Sequence, residues 1–196
     1  VYPTTEARLE GLTFSGELIS TMAVMTGDVI VSDCHFENFQ MDNTYGITFI
    51  FADVEFHRCL VRNNHNYASM FWLSNSGNAA FNNCEFLNNS GLMGSAITNG
   101  GSRSLVIKEC LFNQNHVTAK GGAVFGAGPI SIENSRFQNN TADNQGGAVY
   151  CGDGNILNCT FIGNTASEGG ALAMDQACDV YIENTDFNNN SASIAG

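Results

Sequence analysis

The chain has 196 residues, of which 13% are charged, and its formal net charge is −12. That length is enough for one domain with a buried core. The seven basic residues are scattered, so no cluster of cations can neutralise phosphates, which argues against nucleic-acid binding and attachment to an anionic membrane. No uninterrupted apolar run has the length of a transmembrane helix, so we expect no membrane insertion of this segment.

The sequence repeats with a period near 25 residues, and one apolar anchor residue marks each repeat. The anchors are Phe14, Phe36, Val61, Phe86, Phe112, Phe137, Phe161 and Phe187. Apolar residues recur five and seven positions before the anchor, as in Leu105 and Ile107 before Phe112. Positions spaced by two lie on one face of a strand. Each repeat therefore contains a strand with an apolar inward face.

Each repeat is predicted to form three short strands: one after a Gly-Gly-Ala motif, one with the apolar pair, and one with the anchor. No segment has helical periodicity, so the rest of the coil must connect the parallel strands. Stacked coils share a core that one coil cannot bury alone. The sequence therefore predicts an all-β fold, a single-stranded parallel β-helix of about eight coils. The general rule for parallel crossovers makes it right-handed.

Residues 1–196 are predicted to form a single β-helix domain that becomes more regular along the chain. Residues 1–27 form a degenerate first coil or lead-in, residues 28–77 form less regular coils, and residues 78–196 form regular coils. Gly196 aligns with Gly146, so the chain stops where another coil would begin. Because uncapped solenoids expose edges that associate, we expect a segment of a longer rod.

Polar and glycine rows are predicted to be structural. Asn tolerates the left-handed conformation of a tight corner, and such a corner row contains Asn83, Asn134, Asn158 and Asn184. A second row follows the anchor by three and can bond from coil to coil: Asn64, Asn89, Asn115, Asn140, Asn164 and Asn190. Glycine pairs turn the chain with positive φ: Gly121-Gly122, Gly146-Gly147 and Gly169-Gly170. In the strand that follows them, either Val149 and Cys151 or Ala148 and Tyr150 could face inward.

Five cysteines lie two residues before the anchor and are predicted to form a ladder of buried free thiols that act as small hydrophobes. They are Cys34, Cys59, Cys84, Cys110 and Cys159. Stacked residues about 4.8 Å apart are within disulfide range. However, side chains in register aim alike, and Ser135 and Thr185 occupy the same position. Cys151 and Cys178 lie outside the row and could pair across adjacent coils or stay free.

The combination of Phe-x-x-Asn with Gly-Gly-Ala and an aliphatic residue resembles the repeat signature of chlamydial polymorphic membrane proteins. The matching residues are Phe86 and Asn89, Phe112 and Asn115, Phe137 and Asn140, Phe161 and Asn164, Phe187 and Asn190, with Gly121-Gly122-Ala123, Gly146-Gly147-Ala148 and Gly169-Gly170-Ala171. Gly94-Ser95-Ala96 is a near match. Members of that family are autotransporter-type surface proteins. The resemblance implies a right-handed β-helix passenger that acts in adhesion.

Aromatic and acidic residues are candidate ligand contacts. The stretches 45–51 and 67–73 are apolar on both strand faces, so some side chains must point outward. Tyr45, Tyr67 and Trp72 could stack on a sugar, although a neighbouring segment packed over them is an equal alternative.

Asp143, Glu168 and Asp175 could gather on the loops and first strands of successive coils and hold calcium. Solvated loop acids are the alternative. We predict no other cofactor and no catalytic residue.

The histidines do not indicate a metal site. His65 and His116 both lie four residues after an anchor, but they are two coils, or about 10 Å, apart. Asn-x-Ser/Thr sequons begin at Asn88, Asn139, Asn158 and Asn189. In a eukaryotic secreted protein we expect glycans at Asn88, Asn139 and Asn189, whereas Asn158 lies in a tight corner.

The sequence favours a non-catalytic structural or adhesive rod, secreted or at the cell surface. The predicted partners are other surface proteins, glycans, or further copies stacked end to end. Many right-handed β-helices are pectin lyases or related enzymes, so a carbohydrate-active β-helix is the alternative, together with a polysaccharide-binding module. Fold alone cannot decide among these functions, because function resides in sites placed on folds.

Overall fold

The computed structural model describes residues 6–17, 22–24, 27–41, 46–50, 53–74, 77–101, 104–176 and 178–194. These residues form three parallel sheets of short strands. Every neighbouring pair in a sheet comes from consecutive coils and is parallel. The predicted all-β parallel β-helix is therefore confirmed.

The first sheet has eight strands and contains the apolar pair of each repeat. Its strands are Glu6–Glu10, Asp28–Ser32, Val54–His57, Ala79–Asn82, Leu105–Lys108, Ile130–Glu133, Gly154–Leu157 and Val180–Glu183. Coils are numbered one to eight by these strands. Ile107 pairs with Phe81 and Ile132, as the alignment of the repeats predicted.

The second sheet has fourteen strands and contains the anchors. The anchor strands are Thr13–Glu17, His35–Met41, Leu60–Arg62, Glu85–Leu87, Leu111–Asn113, Arg136–Gln138, Thr160–Ile162 and Asp186–Asn188. From coil three onward each coil adds a two-residue strand to this sheet. These short strands are His65–Asn66, Ser90–Gly91, His116–Val117, Thr141–Ala142, Thr165–Ala166 and Ser191–Ala192.

The short strands correct the prediction of three strands per coil. They follow the Asn row directly and hold two residues each, so they are too short to show the alternation that reveals a strand in a sequence.

The third sheet has seven strands and follows the glycine motif in the regular coils. Its strands are Met22–Val24, Ile47–Ile50, Phe71–Ser74, Ile97–Asn99, Val124–Gly126, Val149–Cys151 and Leu172–Met174. Val149 and Cys151 belong to the core, whereas Tyr150 lies on the opposite face, outside the core cluster. This resolves the inward parity of the strand.

Stacked phenylalanines fill the core beside the second sheet. From Phe86 to Phe187, the ring centroids of neighbouring coils are 4.6–4.9 Å apart and the ring planes differ by at most 5°. Phe36 also stacks on Phe14 at 4.9 Å, but Val61 interrupts the row. Offset stacking of this kind adds to the energy of burial and gives each coil the same cross-section.

Two corners of each coil adopt the left-handed conformation. The predicted row has φ between 49° and 54° at Asn83, Asn134, Asn158 and Asn184, which confirms that prediction. A second row with positive φ precedes the Asn ladder and was not predicted: Asn38, Asn63, Asn88, Gln114, Asn139, Gly163 and Asn189. Asn is enriched there because its short polar side chain tolerates this region.

The two glycines of each motif have different roles. Gly146 has a φ of +67°, so it provides the predicted left-handed turn. For Gly147, a Cβ atom would lie 2.0 Å from the carbonyl oxygen of Gly170 in the next coil. The second glycine is therefore required because two backbones approach closely.

Candidate functional site

The Asn ladder connects coils three to eight through buried amides. Asn115 Nδ2 donates to Asn140 Oδ1 at 2.9 Å and to Phe86 O at 2.9 Å, and Asn115 N also donates to Asn140 Oδ1 at 3.0 Å. The same pattern links each Asn from Asn64 to Asn190. In coil two, Phe39 occupies the position, and its backbone N donates to Asn64 Oδ1. The predicted coil-to-coil bonding is confirmed.

The cysteine row also satisfies buried backbone groups. Cys84 N donates to Cys110 Sγ at 3.4 Å, and Cys84 Sγ donates to Asn82 O at 3.3 Å. Where Ser135 replaces cysteine, its Oγ accepts from Cys110 N at 3.1 Å and donates to Glu133 O at 2.8 Å. Serine and cysteine are thus equivalent here because both side chains accept and donate one hydrogen bond.

The thiols of this row are free and buried. Contact with the Cys110 thiol and burial raise the pKa of Cys84 to about 12. The Cys84 thiol and burial also raise the pKa of Cys59. Burial raises the pKa of Cys34 and Cys159. A raised pKa disfavours the thiolate, which is the nucleophilic form of cysteine. These side chains therefore act as buried packing residues.

Cys151 and Cys178 are also free thiols. Cys151 is fully buried in the core, and burial raises its pKa to about 12. Cys178 is half-buried, and its Sγ donates to Asp175 O at 2.9 Å.

The three candidate calcium ligands do not gather. Asp143 and Glu168 lie on the loops before the third-sheet strands of coils six and seven, whereas Asp175 follows the strand Leu172–Met174. Glu168 Oε2 accepts from Gln145 Nε2 at 2.6 Å, which ties two coils together. Within the described ranges, no group of three His, Cys, Asp or Glu residues could hold a metal ion. The strand Leu172–Met174 separates Asp175 from the two loop residues, so the described residues give no support to a calcium cluster and are consistent with solvated loop acids.

The candidate aromatic contacts lie on different surfaces. Tyr45 lies outside the described residues. Tyr67 is 53% exposed in the loop after the short strand of coil three. Trp72 is half-buried on the outer face of the third sheet, while Phe71 and Leu73 of the same strand face the core. In the described part of the chain, the predicted outward aromatic patch on these strands is therefore reduced to Trp72.

Further aromatic residues follow Trp72 along the outer face of the third sheet. Phe125 and Tyr150 stack with centroids 5.3 Å apart and planes 5° apart. Lys120 Nζ lies 4.3 Å from the centroid of the Tyr150 ring, a cation–π arrangement, and donates to its hydroxyl at 3.2 Å. Tyr150 is only 5% exposed, so this row mainly packs against its own neighbours.

A groove lies on the outer face of the short strands. Its sides contain six residues: His65, Tyr67, Ser90, Leu92, His116 and Thr118. Asn66 and Gly91 also line it, and its volume is about 480 Å³. We call it the His65–His116 groove. His65 Nδ1 and Ser90 Oγ are hydrogen-bonded at 2.7 Å, and His116 Nδ1 and Thr141 Oγ1 at 2.8 Å, which orients both imidazole rings.

The groove was not predicted, although loop lengths contain a signal for it. Between the short strand and the third sheet, coil three has residues 67–70, coil four has 92–96, and coil five has 118–123. The connection therefore lengthens by one residue per coil. Small side chains at Ser90 and Gly91 then leave a depression between His65 and His116.

The potential glycosylation sites lie on an exposed edge. Asn88, Asn139 and Asn189 are exposed and belong to the second left-handed row. Asn88 Nδ2 donates to Asn63 Oδ1 at 3.0 Å. Asn158 is also exposed, in the first corner row.

Comparison with protein families identifies the architecture. The model of the family described as the right-handed beta helix region matches residues 1–137 and residues 53–195. The chain belongs to this family. This right-handed β-helix protein matches no curated protein. The family match supports the right-handed β-helix repeats, while it does not extend to the chlamydial polymorphic membrane proteins. Among the described residues of the β-helix, no helix is long and apolar enough to cross a bilayer.

Proposed function

We propose that this β-helix is a non-catalytic structural or adhesive rod that acts outside the cell. The observation that carries the proposal is the continuous Asn ladder. From Asn64 to Asn164 the ladder residues are at most 1% exposed, and each amide bonds to the neighbouring coil. Satisfied buried networks of this kind rigidify a fold. A stiff rod of uniform cross-section suits a protein segment that holds other molecular groups apart.

Surface polar groups support the same role because they connect coils. Arg58 forms two hydrogen bonds with Asp33, at 2.8 and 2.7 Å. Arg62 bonds to Glu37 at 2.7 Å. Asp153 Oδ1 accepts from the backbone N of Asp179 at 2.9 Å. These side chains are engaged in bracing neighbouring turns of the rod.

The location outside the cell rests on the resemblance to autotransporter-type passengers and on the exposed sequons. In a eukaryotic secretory host, we expect glycans at Asn88, Asn139 and Asn189. Mass spectrometry before and after enzymatic glycan removal would test this, and unmodified asparagines at all three positions would contradict it.

The partners we propose are surface proteins, glycans, or further copies of the rod. Copies stacked end to end would continue the three parallel sheets. Sedimentation velocity over a wide range of protein concentrations tests this. A single species with the mass of one chain at all concentrations would contradict self-association.

The alternative is a carbohydrate-active β-helix, and one experiment separates it from the rod. The purified chain is incubated with uronate-containing and neutral polysaccharides, with calcium and with a chelator, and the release of new sugar ends is followed. We expect no turnover in any condition. Turnover that persists after repeated purification and is lost on unfolding would refute the non-catalytic proposal.

A further inference from the structure

Coils one and eight each have an apolar face on which no other coil is stacked among the described residues. Within the stack, the inward residues of the first sheet and the anchor row are closed off, and Ile156 and Phe161 are 0% exposed. The same two columns end in Ile182 and Phe187, which are 40% and 44% exposed. At the other face, Leu9 of coil one is 37% exposed. Burial of apolar surface is favourable, so both faces are suited to a further contact.

The two faces match because their residues belong to the same columns of the stack. In the first sheet, strand pairing connects coil one to coil eight through every coil between them, without a shift in register. The residues that share a column are Ala7 and Val180, Leu9 and Ile182, and the anchors Phe14 and Phe187. The ring of Phe187 already stacks on Phe161 with centroids 4.9 Å apart. A coil one placed on coil eight would therefore continue both an aliphatic and an aromatic column.

The backbone of coil eight has the hydrogen-bonding pattern of the inner coils. Gly154 N in coil seven donates to Asp179 O in coil eight at 3.0 Å. Val180 has the equivalent donor position in coil eight, because it pairs with Gly154. In coil one, Glu6 precedes Ala7 as Asp179 precedes Val180, so Glu6 O is the equivalent acceptor. Open strand edges pair readily with another chain, and Val180 N of one copy can donate to Glu6 O of the next.

We propose that coil eight of one copy of this chain binds coil one of a second copy, in the register of the inner coils. The occupant is a second copy because coil one has the matching aliphatic, aromatic and backbone groups at the spacing of every inner junction. This deepens the proposed rod function and rests on its self-association. It states which face meets which, and it assigns the contact to the columns of Ile182 and Phe187.

Acidic side chains on the outer surface limit the strength of this contact. In the proposed register, Glu10 of one copy lies opposite Glu183 of the other, and both side chains are exposed. An inner junction of the same column has Lys108 opposite Glu133, with a salt bridge of 3.1 Å. Opposite charges stabilise a cross-strand pair, whereas like charges directly opposite each other destabilise it. Because salt screens exposed charges, the contact should strengthen as the ionic strength rises.

Two variants of the full chain, each with one face blocked, test which faces meet. Phe187→Asp puts a charge on the face of coil eight, and Leu9→Asp puts one on the face of coil one. Sedimentation velocity of the unmodified chain should show masses that rise above that of a dimer with concentration. Each variant alone should remain a monomer. An equimolar mixture should form a dimer that grows no further, because each variant keeps the face that the other has lost.

The matched control is Tyr67→Asp, since Tyr67 is 53% exposed in coil three, away from both faces. It should assemble like the unmodified chain. Circular dichroism checks that the variants are folded, and Ile182→Asp is a second way to block the face of coil eight. Dimers of either blocked variant alone would show contact between like faces and overturn the proposal, as would an unmodified chain that stays monomeric. The turnover assay does not depend on assembly, so failure of this contact and failure of the non-catalytic proposal are distinguishable.

A charge substitution tests the register. Glu183→Lys places a cation opposite Glu10 of the next copy, so it should tighten self-association about fivefold at low ionic strength. Glu85→Lys is the control, because Glu85 is exposed on coil four and the change in net charge is the same. We expect a clearly smaller gain from the control. Equal gains in the two variants would show that overall charge governs association, and they would refute the assigned register.

Discussion

Removing one amide from the centre of the Asn ladder should destabilise the whole β-helix. Asn115→Ala deletes two hydrogen bonds donated by Nδ2, to Phe86 O and Asn140 Oδ1, and two accepted by Oδ1, from the N and Nδ2 atoms of Asn89. Two buried donors of Asn89 then lose an acceptor. An unsatisfied buried group costs about 1–3 kcal/mol, so the expected loss is about 2–6 kcal/mol. Domains of this kind have only about 5–15 kcal/mol of total stability.

Equilibrium unfolding in guanidinium chloride, followed by circular dichroism, measures this loss from the shift in midpoint at unchanged slope. The control is Asn113→Ala, in the same coil. Asn113 is half-buried on the outer side of the strand, and its Oδ1 accepts only a long bond of 3.5 Å from Asn139 Nδ2. We expect the control to change stability by no more than about 0.5 kcal/mol. Equal effects of the two substitutions would refute the energetic role of the ladder.

Three further predictions follow from the corners and the turns. Ser135→Ala should lower the free energy of unfolding by about 1–3 kcal/mol, because the buried backbone N–H of Cys110 would lose its acceptor, whereas Ser135→Cys should leave that free energy nearly unchanged. Equal denaturation midpoints for the two variants would contradict this. Gly147→Ala should cost about 3 kcal/mol or more because its Cβ would meet a backbone oxygen, while Gly100→Ala, with no atom nearer than 3.8 Å, should be tolerated. Hydrogen bonding to Arg58 lowers the pKa of Asp33, so the stabilisation from this pair is complete above the usual Asp pKa and is lost as the pH falls through the lowered value. Titration followed by NMR should show the Asp33 pKa rising in Arg58→Ala, and an unchanged pKa would refute the pairing.

The sequence predicted the strand register because each coil repeats the same inward positions. Phe86, Phe112 and Phe137, aligned as anchors, are direct partners in the second sheet. In a parallel solenoid, long-range pairing follows from the repeat itself. The spacing of the anchor residues along the sequence therefore predicted which strands pair and in which register.

The groove was harder to predict because it arises from differences between coils. Asn66 occupies a position that is apolar in later coils, and Ser90 and Gly91 are small where the coils on either side have His65-Asn66 and His116-Val117. Each residue alone has an ordinary structural explanation. The depression depends on the alignment of these residues in three dimensions, together with the stepwise lengthening of the connecting loops.

The amides of the Asn ladder all point in the same direction. From Asn64 to Asn164, each Nδ2 donates to the Oδ1 of the following coil as well as to a backbone carbonyl of the preceding coil, and each Oδ1 accepts from the preceding coil. Aligned amides polarise one another, so the rod has a donor-rich end and an acceptor-rich end, like an arrow. Two like ends cannot continue the ladder, whereas unlike ends can. Copies that stack would therefore join head to tail, and contacts of that type extend into open filaments rather than closed dimers.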